Sequence, residues 1–160
     1  VLILGPGDWN SGSVKVFKSV YDGIPWYTDG VTGFVDVRDV ATAMILLMES
    51  DISAERFILS AENRTFRFLF NLIAKAFDKK PPYKKVTPSM AKLVWRLEAI
   101  KSLFTGKEPL INKETAATAM AKVYFDNSKL KKYLPAFSYS TIEDTITSTC
   151  AVLQQKINSR

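Results

Sequence analysis

The sequence opens with four consecutive apolar residues, residues 1–4, that run directly into Gly5-Pro6-Gly7. An apolar run without alternation, ended by turn-forming residues, is typical of a strand that is buried on both faces of a parallel sheet. Such a strand also needs a neighbouring strand along each edge. We therefore expect residues 1–4 to be an interior strand of a larger sheet, of which this chain forms one part.

A second buried strand is predicted for residues 56–60, after a helix over residues 40–50. Asp39 is placed to cap that helix, because its carboxylate can accept the free amide hydrogens of the first turn. The helix is apolar almost all round, which predicts that it is covered on more than one side. The order strand, helical crossover, strand is typical of a parallel sheet. Shorter extended pieces are predicted for residues 25–28 and 34–37.

Most of the remaining chain is predicted to be helical, because apolar residues recur at three- and four-residue spacing. Capping signals precede several of these helices: Thr87 with Pro88, Asp126, and a capping box that begins at Ser140. The predicted helices are residues 14–21, 66–77, 88–104, 112–121 and 127–133, and a long terminal helix that starts at the capping box. With 160 residues, the chain is expected to form one α/β domain, in which two parallel strands accompany a mostly helical remainder.

Two features of the composition exclude whole classes of function. The sequence contains no histidine, which removes Ser-His and Cys-His catalysis and the commonest zinc ligand, so no metal site is expected. The single cysteine, Cys150, lies on the predicted inner face of the terminal helix, where a buried thiol is expected rather than a nucleophile. A lone cysteine forms no internal disulfide and fits a reducing cytoplasm. No apolar run approaches the ~18 residues of a membrane span, so no membrane partner is expected.

The net charge is +6, and lysines cluster at residues 79–80, 84–85 and 129–132. A nucleic-acid-binding protein gathers such charges on one face together with aromatic residues that stack on bases. Here the clusters lie at the ends of different predicted elements. We therefore expect a solvated surface and no nucleic-acid partner, with attraction of a phosphate-bearing ligand as the alternative.

The loop Gly5-Pro6-Gly7 does not match a phosphate-binding loop. A dinucleotide-binding fingerprint has a third glycine three residues after the second, where this chain has Asn10. Pro6 has no amide hydrogen to donate, and Asp8 would repel a phosphate. Because the loop follows the carboxyl end of a predicted parallel strand, where open α/β sheets bind ligands, we interpret it as a ligand-side loop. A plain connection between elements remains the alternative.

Aromatic residues on or near the predicted loops are candidate ligand contacts. Trp9, Trp26, Tyr27 and Phe34 could stack on a flat or sugar ligand. Each of them could equally be a packing residue. Asp36 is placed either to meet a ligand or to hold the turn at Gly5-Pro6-Gly7, and the sequence leaves both open.

Three ordered segments resemble extended short-chain dehydrogenases/reductases. Residues 1–7, Val-Leu-Ile-Leu-Gly-Pro-Gly, are similar to the sixth strand and following loop of that family, which commonly read V-x-G-P-G. Residues 33–41, Gly-Phe-Val-Asp-Val-Arg-Asp-Val-Ala, are similar to its F-V-x-V-x-D-V-A segment. Residues 124–130, Tyr-Phe-Asp-Asn-Ser-Lys-Leu, resemble its late D-x-S-K segment. Within the family, the first two segments look closer to dihydroflavonol-reductase-like members than to nucleoside-diphosphate-sugar epimerases.

The resemblance implies that residues 1–160 are the carboxy-terminal, substrate-binding half of an NAD-dependent epimerase/dehydratase or reductase. The fold would be the last part of a Rossmann-type parallel sheet, two strands, with a helical substrate-binding subdomain. The cofactor, NAD or NADP, would bind mainly to an absent first half, so this chain alone is expected to bind none. That half would also carry the Ser-Tyr-Lys catalytic group, since no tyrosine here is followed four residues later by lysine.

The resemblance also implies which residues contribute to a site. Gly5 and Pro6 would touch the cofactor, and no residue of this chain would be catalytic. The substrate, a sugar nucleotide or a ketone or aldehyde, would be held by Trp9, Asn10, Tyr27, Phe34 and Asp36. Relatives often have His or Tyr at the Asp36 position.

Two other functions remain open at the level of sequence. The chain could be a non-catalytic module that binds a ligand or a protein. The predicted strand of residues 1–4 would then have a bare edge, and self-association through that edge is expected, as a symmetric dimer. A nucleic-acid binder is the third hypothesis, motivated only by the basic charge.

Overall fold

The computed structural model describes residues 1–87, 90 and 113–159, and the fold is given for these residues. Five short strands and six helices are found in this part of the chain. In chain order they are β1 (Leu2–Leu4), α1 (Val14–Tyr21), β2 (Trp26–Tyr27), β3 (Val31–Asp36), α2 (Val37–Met48), β4 (Glu62–Thr65), α3 (Phe66–Ala76), β5 (Lys84–Lys85), α4 (Lys113–Met120), α5 (Ser128–Tyr133) and α6 (Ile142–Asn158).

The main sheet has the strand order β1-β3-β4. β1 and β3 are parallel, with Leu2 opposite Phe34 and Leu4 opposite Asp36, whereas β4 runs antiparallel to β3. Helix α1 lies in the connection between the two parallel strands, as such a crossover requires. The predicted α/β class with a small parallel sheet is therefore confirmed, although the strand parallel to β1 is β3 and not residues 56–60.

The predicted strand at residues 56–60 is wrong, and so is the crossover assigned to α2. Residues 56–60 form no strand, and the chain turns back after Ser60 to pair β4 antiparallel with β3. The apolar pattern was misleading because Phe57 and Leu59 pack in a separate cluster with α2 and α5. The residues that do pair, those of β4, are polar and half-exposed and carry no buried-strand pattern.

The main core lies between one face of the sheet and helices α1, α3 and α6. Leu2, Leu4 and Phe34 point to the same face, since side chains two apart on a strand share a face and Leu2 is opposite Phe34. The buried stripes predicted for α1, α3 and α6 are confirmed. The buried members of this core are Leu4, Val14, Phe17, Val20, Phe34, Leu69, Ile73, Ala74, Phe77, Ile142, Ile146, Cys150 and Leu153.

Cys150 is a core thiol, as expected from its position on the helix stripe. It is almost fully buried, and burial raises the pKa of its thiol to about 12. A thiol with such a pKa is protonated at neutral pH and is a poor nucleophile.

A second, two-stranded sheet joins β2 to β5 in parallel, with Trp26 opposite Lys84 and Tyr27 opposite Lys85. The sequence indicated an extended piece near Trp26 but gave no sign of its partner. Two-residue strands are too short to show periodicity. Their paired residues, such as Trp26 and Lys84, are 58 positions apart in the chain, so only the tertiary fold brings them together.

Two predictions fall partly or wholly beyond these residues. The helix predicted for residues 88–104, after its Thr87 cap, lies outside the described residues apart from Met90. Asn112, the predicted start of the next helix, also lies outside them, whereas α4 itself is confirmed within the predicted range. No helix among the described residues is both long and apolar enough to cross a bilayer.

Helix α2 is covered on one side only within this part of the chain. Ala43 is fully buried, but Met44 and Ile45 are each 54% exposed and Met48 is 81% exposed. With Val37 and Ala41, which are also exposed, these residues follow the spacing of a single helix face. We call residues Val37, Ala41, Met44, Ile45 and Met48 the α2 stripe.

The loop after β1 and the first turn of α2 approach so closely that only glycine fits at position 5. A Cβ atom on Gly5 would overlap Cγ1 of Val37. We predict that Gly5→Ala lowers the free energy of unfolding by about 1–3 kcal/mol, the usual cost of overpacking. Val37→Ala should remove most of that cost in the double variant, measured by urea denaturation. An equal cost of Gly5→Ala in both backgrounds would contradict the assigned contact.

Candidate functional site

The carboxyl ends of β1 and β3 lie side by side at one edge of the sheet, because the two strands are adjacent and parallel. β1 continues into Gly5-Pro6-Gly7, and β3 continues directly into α2. Loops at this edge form the ligand sites of open α/β sheets. A shallow cavity of about 250 Å³ opens here; it is lined by Ile3, Leu4, Gly5, Pro6, Gly7, Asp8, Ser11, Gly12, Ser13, Val14 and Val37.

A second cavity, of about 450 Å³, lies on the α6 side of the same loop. Gly7 and Asp8 line both cavities, so the loop forms the wall between them. Trp9, Leu153 and Ile157 give the second cavity an apolar lining, and Lys156 contributes a cation. Its volume lies within the range of about 300–1,000 Å³ that is usual for small-molecule sites.

The Trp9 ring is held in place by two other aromatic rings. Its centroid is 5.7 Å from that of Tyr21 and 6.3 Å from that of Phe77, both in edge-to-face geometry. This is a favourable arrangement for aromatic pairs, and it fixes the ring at the cavity wall. Trp9 is therefore both a packing residue and a wall of a cavity, so the two interpretations of the sequence are compatible.

The structure places Asn10 and Tyr27 away from the lining of these two cavities. Asn10 is exposed, and its Oδ1 accepts a hydrogen bond of 2.9 Å from Nζ of Lys18. Tyr27 belongs to β2, where the guanidinium of Arg67 lies 4.7 Å from its ring centroid. Among the five residues predicted to hold substrate, only Trp9 lines a cavity at the loop.

The sequence predicted that Phe34 contacts a ligand, but the structure places its side chain in the core. Its side chain is 0% exposed and packs edge-to-face against Phe66, with 6.0 Å between ring centroids. Phe34 points into the core because it shares a sheet face with Leu2 and Leu4. A side chain buried to this extent presents no surface to a substrate.

Asp36 caps helix α2, a role that the sequence predicted for Asp39. Its Oδ1 accepts a 2.7 Å hydrogen bond from the amide of Arg38, and Nε and Nη2 of Arg38 also donate to the carboxylate. Burial raises the pKa of Asp36, but hydrogen bonds from Arg38 and Thr145 outweigh burial and leave the pKa below its ordinary value. The side chain is 1% exposed.

Asp39 instead connects α2 to the segment before α6. Its Oδ2 and Oδ1 accept hydrogen bonds of 2.8 and 2.9 Å from the amide and the hydroxyl of Ser140. Ser140 is therefore not the cap of α6. That cap is Thr141, whose Oγ1 accepts from the amide of Asp144, one residue later than the predicted capping box.

A third cavity, of about 460 Å³, was not indicated by the sequence. It lies between the start of β4 and the chain before α6, and its lining includes Glu62, Lys131 and Tyr139. The hydroxyl oxygens of Tyr139 and Ser60 are buried and have no hydrogen-bond partner among the described residues. No motif links these residues in the sequence, because they come from three separate segments.

The residues at the sheet edge fit the border of a nicotinamide cofactor but not a whole dinucleotide. The cavity at Gly5 and Pro6 measures about 250 Å³, below the range of about 300–1,000 Å³ for small-molecule sites. Pro6 offers no amide hydrogen, and Asp8 repels a phosphate. The loop can therefore form one wall of a cofactor site, but it does not itself fit a phosphate.

Solved structures show the same fold. The chain superimposes on gox2253 with a TM-score of 0.72 at 25% sequence identity, covering 97% of this chain and 47% of that one. It matches a nucleoside-diphosphate-sugar epimerase from Pseudomonas aeruginosa with a TM-score of 0.72 at 18% identity, covering 97% and 46%. It also matches WbmG from Bordetella bronchiseptica, solved in complex with NAD and UDP, with a TM-score of 0.64 at 15% identity, covering 97% and 43%.

The chain thus spans a little under half the length of the structures it resembles. It has the fold of the matched part of these structures, one of which is a nucleoside-diphosphate-sugar epimerase. No protein-family model matches the sequence, and no curated protein matches it significantly.

The capping role of Asp36 predicts a dependence of stability on pH. Because the pKa of Asp36 is lowered on folding, its stabilising contribution is complete above its ordinary pKa of 3.8 and is lost as the pH falls through the lower folded value. Asp36→Asn should therefore be less stable than the wild type at neutral pH, with the difference shrinking below about pH 4. Unfolding by urea at several pH values measures this.

The control is Asp51→Asn, which removes a carboxylate from an exposed position. Its difference from the wild type should stay small throughout the pH range. A constant difference between Asp36→Asn and the wild type down to pH 3 would show that ionised Asp36 does not stabilise the fold.

Proposed function

We propose that this chain is the substrate-binding portion of an NAD(P)-dependent oxidoreductase or epimerase and is inactive alone. The observation that carries the proposal is the pair of cavities on either side of the loop Gly5-Pro6-Gly7, at the carboxyl edge of parallel strands. The cofactor-binding half, with its glycine-rich loop and catalytic tyrosine, would precede Val1. The likeness to enzymes more than twice as long supports this division.

In the intact enzyme, the nicotinamide would supply hydride transfer to or from a substrate carbon. The part played by this chain is to bind and orient. Gly5 and Pro6 border the cofactor, Trp9 presents a fixed aromatic wall to the substrate, and Asn10 lies on the same loop. Asp36 contributes indirectly. By capping α2 it sets the position of Val37 against Gly5.

The substrate class is a sugar nucleotide or a ketone or aldehyde. Trp9 and Lys156 line the larger cavity together, which pairs a flat apolar wall with a cation. Asp8 also lines this cavity. A sugar ring fits this combination, because it can stack on Trp9 while its hydroxyl groups bond to the Asp8 carboxylate and the Lys156 ammonium. A small ketone would use the aromatic wall alone.

The exposed apolar surface of the chain supports the proposal that another part of the protein covers it. Ile3, on β1, is 46% exposed although Val35, its partner in the adjacent strand, is fully buried. The α2 stripe is exposed as well. A contiguous apolar surface of this kind marks a contact with another chain segment or protein. A preceding cofactor-binding half would cover β1 and α2 and pair with the free edge of β1.

Two measurements test the proposal. Isothermal titration of this chain with NADPH should show essentially no binding, because the phosphate-binding groups would belong to the preceding half. In the protein extended upstream of Val1, Trp9→Ala should raise KM about tenfold, from the loss of one aromatic contact worth ~1.4 kcal/mol, with a smaller effect on kcat. Tight NADPH binding by the chain alone, or no G-x-x-G-x-x-G upstream of Val1, would overturn the assignment.

The second candidate is a non-catalytic module that binds a ligand or a protein. The observation in its favour is the position of β1 at the edge of the sheet as described, next to the exposed α2 stripe. An edge strand with exposed apolar side chains pairs readily with a second copy. Self-association through β1 and the α2 stripe is the corresponding proposal for the chain alone.

Sedimentation velocity tests this self-association. The chain should form a dimer at high concentration, and Ile3→Lys or Met44→Lys should return it to the monomer, because a charge on an apolar interface must be desolvated. The matched control is Val152→Lys, an exposed apolar residue on α6, which should leave the dimer intact. A strict monomer at all concentrations would remove this candidate.

A further inference from the structure

The segment of residues 79–85, Lys-Lys-Pro-Pro-Tyr-Lys-Lys, takes no part in the site described above. It contains four lysines, and pairing of β5 with β2 brings it beside Trp26 and Tyr27. The sequence predicted that the lysine clusters lie at the ends of different elements. The structure places Lys84 of this segment beside two exposed aromatic rings. We call Trp26, Tyr83 and Lys84 the lysine-aromatic surface.

The ammonium group of Lys84 lies between two exposed rings. Its Nζ is 5.2 Å from the ring centroid of Trp26 and 5.6 Å from that of Tyr83. Trp26 is 38% exposed and Tyr83 is 72% exposed, so both rings remain accessible from solvent. One cation and two flat, accessible rings therefore lie together on this surface.

The backbone beneath this surface is fixed by hydrogen bonds. The amides of Tyr83 and Lys84 donate to the carbonyl of Pro25 at 3.1 and 2.7 Å, and the amide of Val86 donates to the carbonyl of Tyr27 at 2.8 Å. A ligand that uses the rings and lysines would therefore find them already in place, which reduces the ordering cost of binding.

Lys84 carries the charge of this surface. Lys85 is engaged by Asp29 in an ion pair, whereas Lys79, Lys80 and Lys84 face solvent, with Asp78 the adjacent acidic residue. A cation over an exposed ring is held weakly. A base that stacks on the ring can displace it, and the released ammonium can then pair with a phosphate of the same ligand.

We propose that the lysine-aromatic surface binds single-stranded nucleic acid. Unpaired bases supply flat faces for Trp26 and Tyr83, and a phosphate between them supplies charge for Lys84. An acidic peptide would pair with the lysine but would supply no flat ring to stack on the aromatic side chains. The surface is separate from the loop at Gly5, so the test of this activity is independent of the test of the proposed function.

The test is fluorescence anisotropy of a labelled oligouridylate of about 12 nucleotides, a length that single-stranded sites commonly cover, titrated with the full chain. Affinity should fall between about 50 mM and about 200 mM salt. Trp26→Ala and Tyr83→Ala should each weaken binding about tenfold at both salt concentrations, as expected for loss of a stacked base. Lys84→Gln should reduce the slope of log K against log salt by about 0.7.

The matched control is the pair Lys131→Gln and Lys132→Gln on α5, which removes the same kind of charge from another exposed surface. The proposal requires that this pair leave the affinity unchanged, and circular dichroism establishes that each variant is folded. An equal loss in the control, or no binding at low salt, overturns it. Equal binding to polyglutamate or to anionic phospholipid vesicles, insensitive to Trp26→Ala, would likewise overturn it.

Discussion

Two carboxylates at the junction of β3 and α2 connect the sheet to the helices that surround it. Asp36 ends the central strand, caps α2 and pairs with Arg38, which in turn donates to Ser148 on α6. Asp39, one turn later, accepts two hydrogen bonds from Ser140, just before α6 begins. Because both carboxylates are buried, each needs these partners, and the partners fix where α2 and α6 start.

The junction of β3 and α2 determines the geometry at the carboxyl ends of β1 and β3. Capping by Asp36 determines where α2 begins, so Val37 comes to lie against Gly5, where no larger residue fits. The loop is thereby held between two cavities, with Trp9 braced by other rings on one side. Fixed walls around a cavity favour binding, since less freedom is lost when a ligand arrives. Because α2 is held in this position, the α2 stripe faces solvent.

The fold could be predicted from the sequence wherever burial alone decides. The helices α1, α3 and α6 were found with their buried faces, because a stripe at helix spacing has one stable orientation on a core. The strand predicted for residues 56–60 is wrong, because an apolar run has the same sequence pattern whether it pairs in a sheet or packs beside one. The two-residue strands β2 and β5 carry no pattern, and their pairing depends on the rest of the fold.

The sequence by itself determined the α/β class, the buried Cys150 and the turn at Gly5-Pro6-Gly7 after β1, because apolar spacing and turn residues act locally. Only the tertiary structure decided that Asp36 caps α2, that Phe34 is core rather than ligand contact, and that Lys84 lies between Trp26 and Tyr83. These facts depend on which distant segments come together. Long-range pairing is set by the balance of the whole core, which no local pattern encodes.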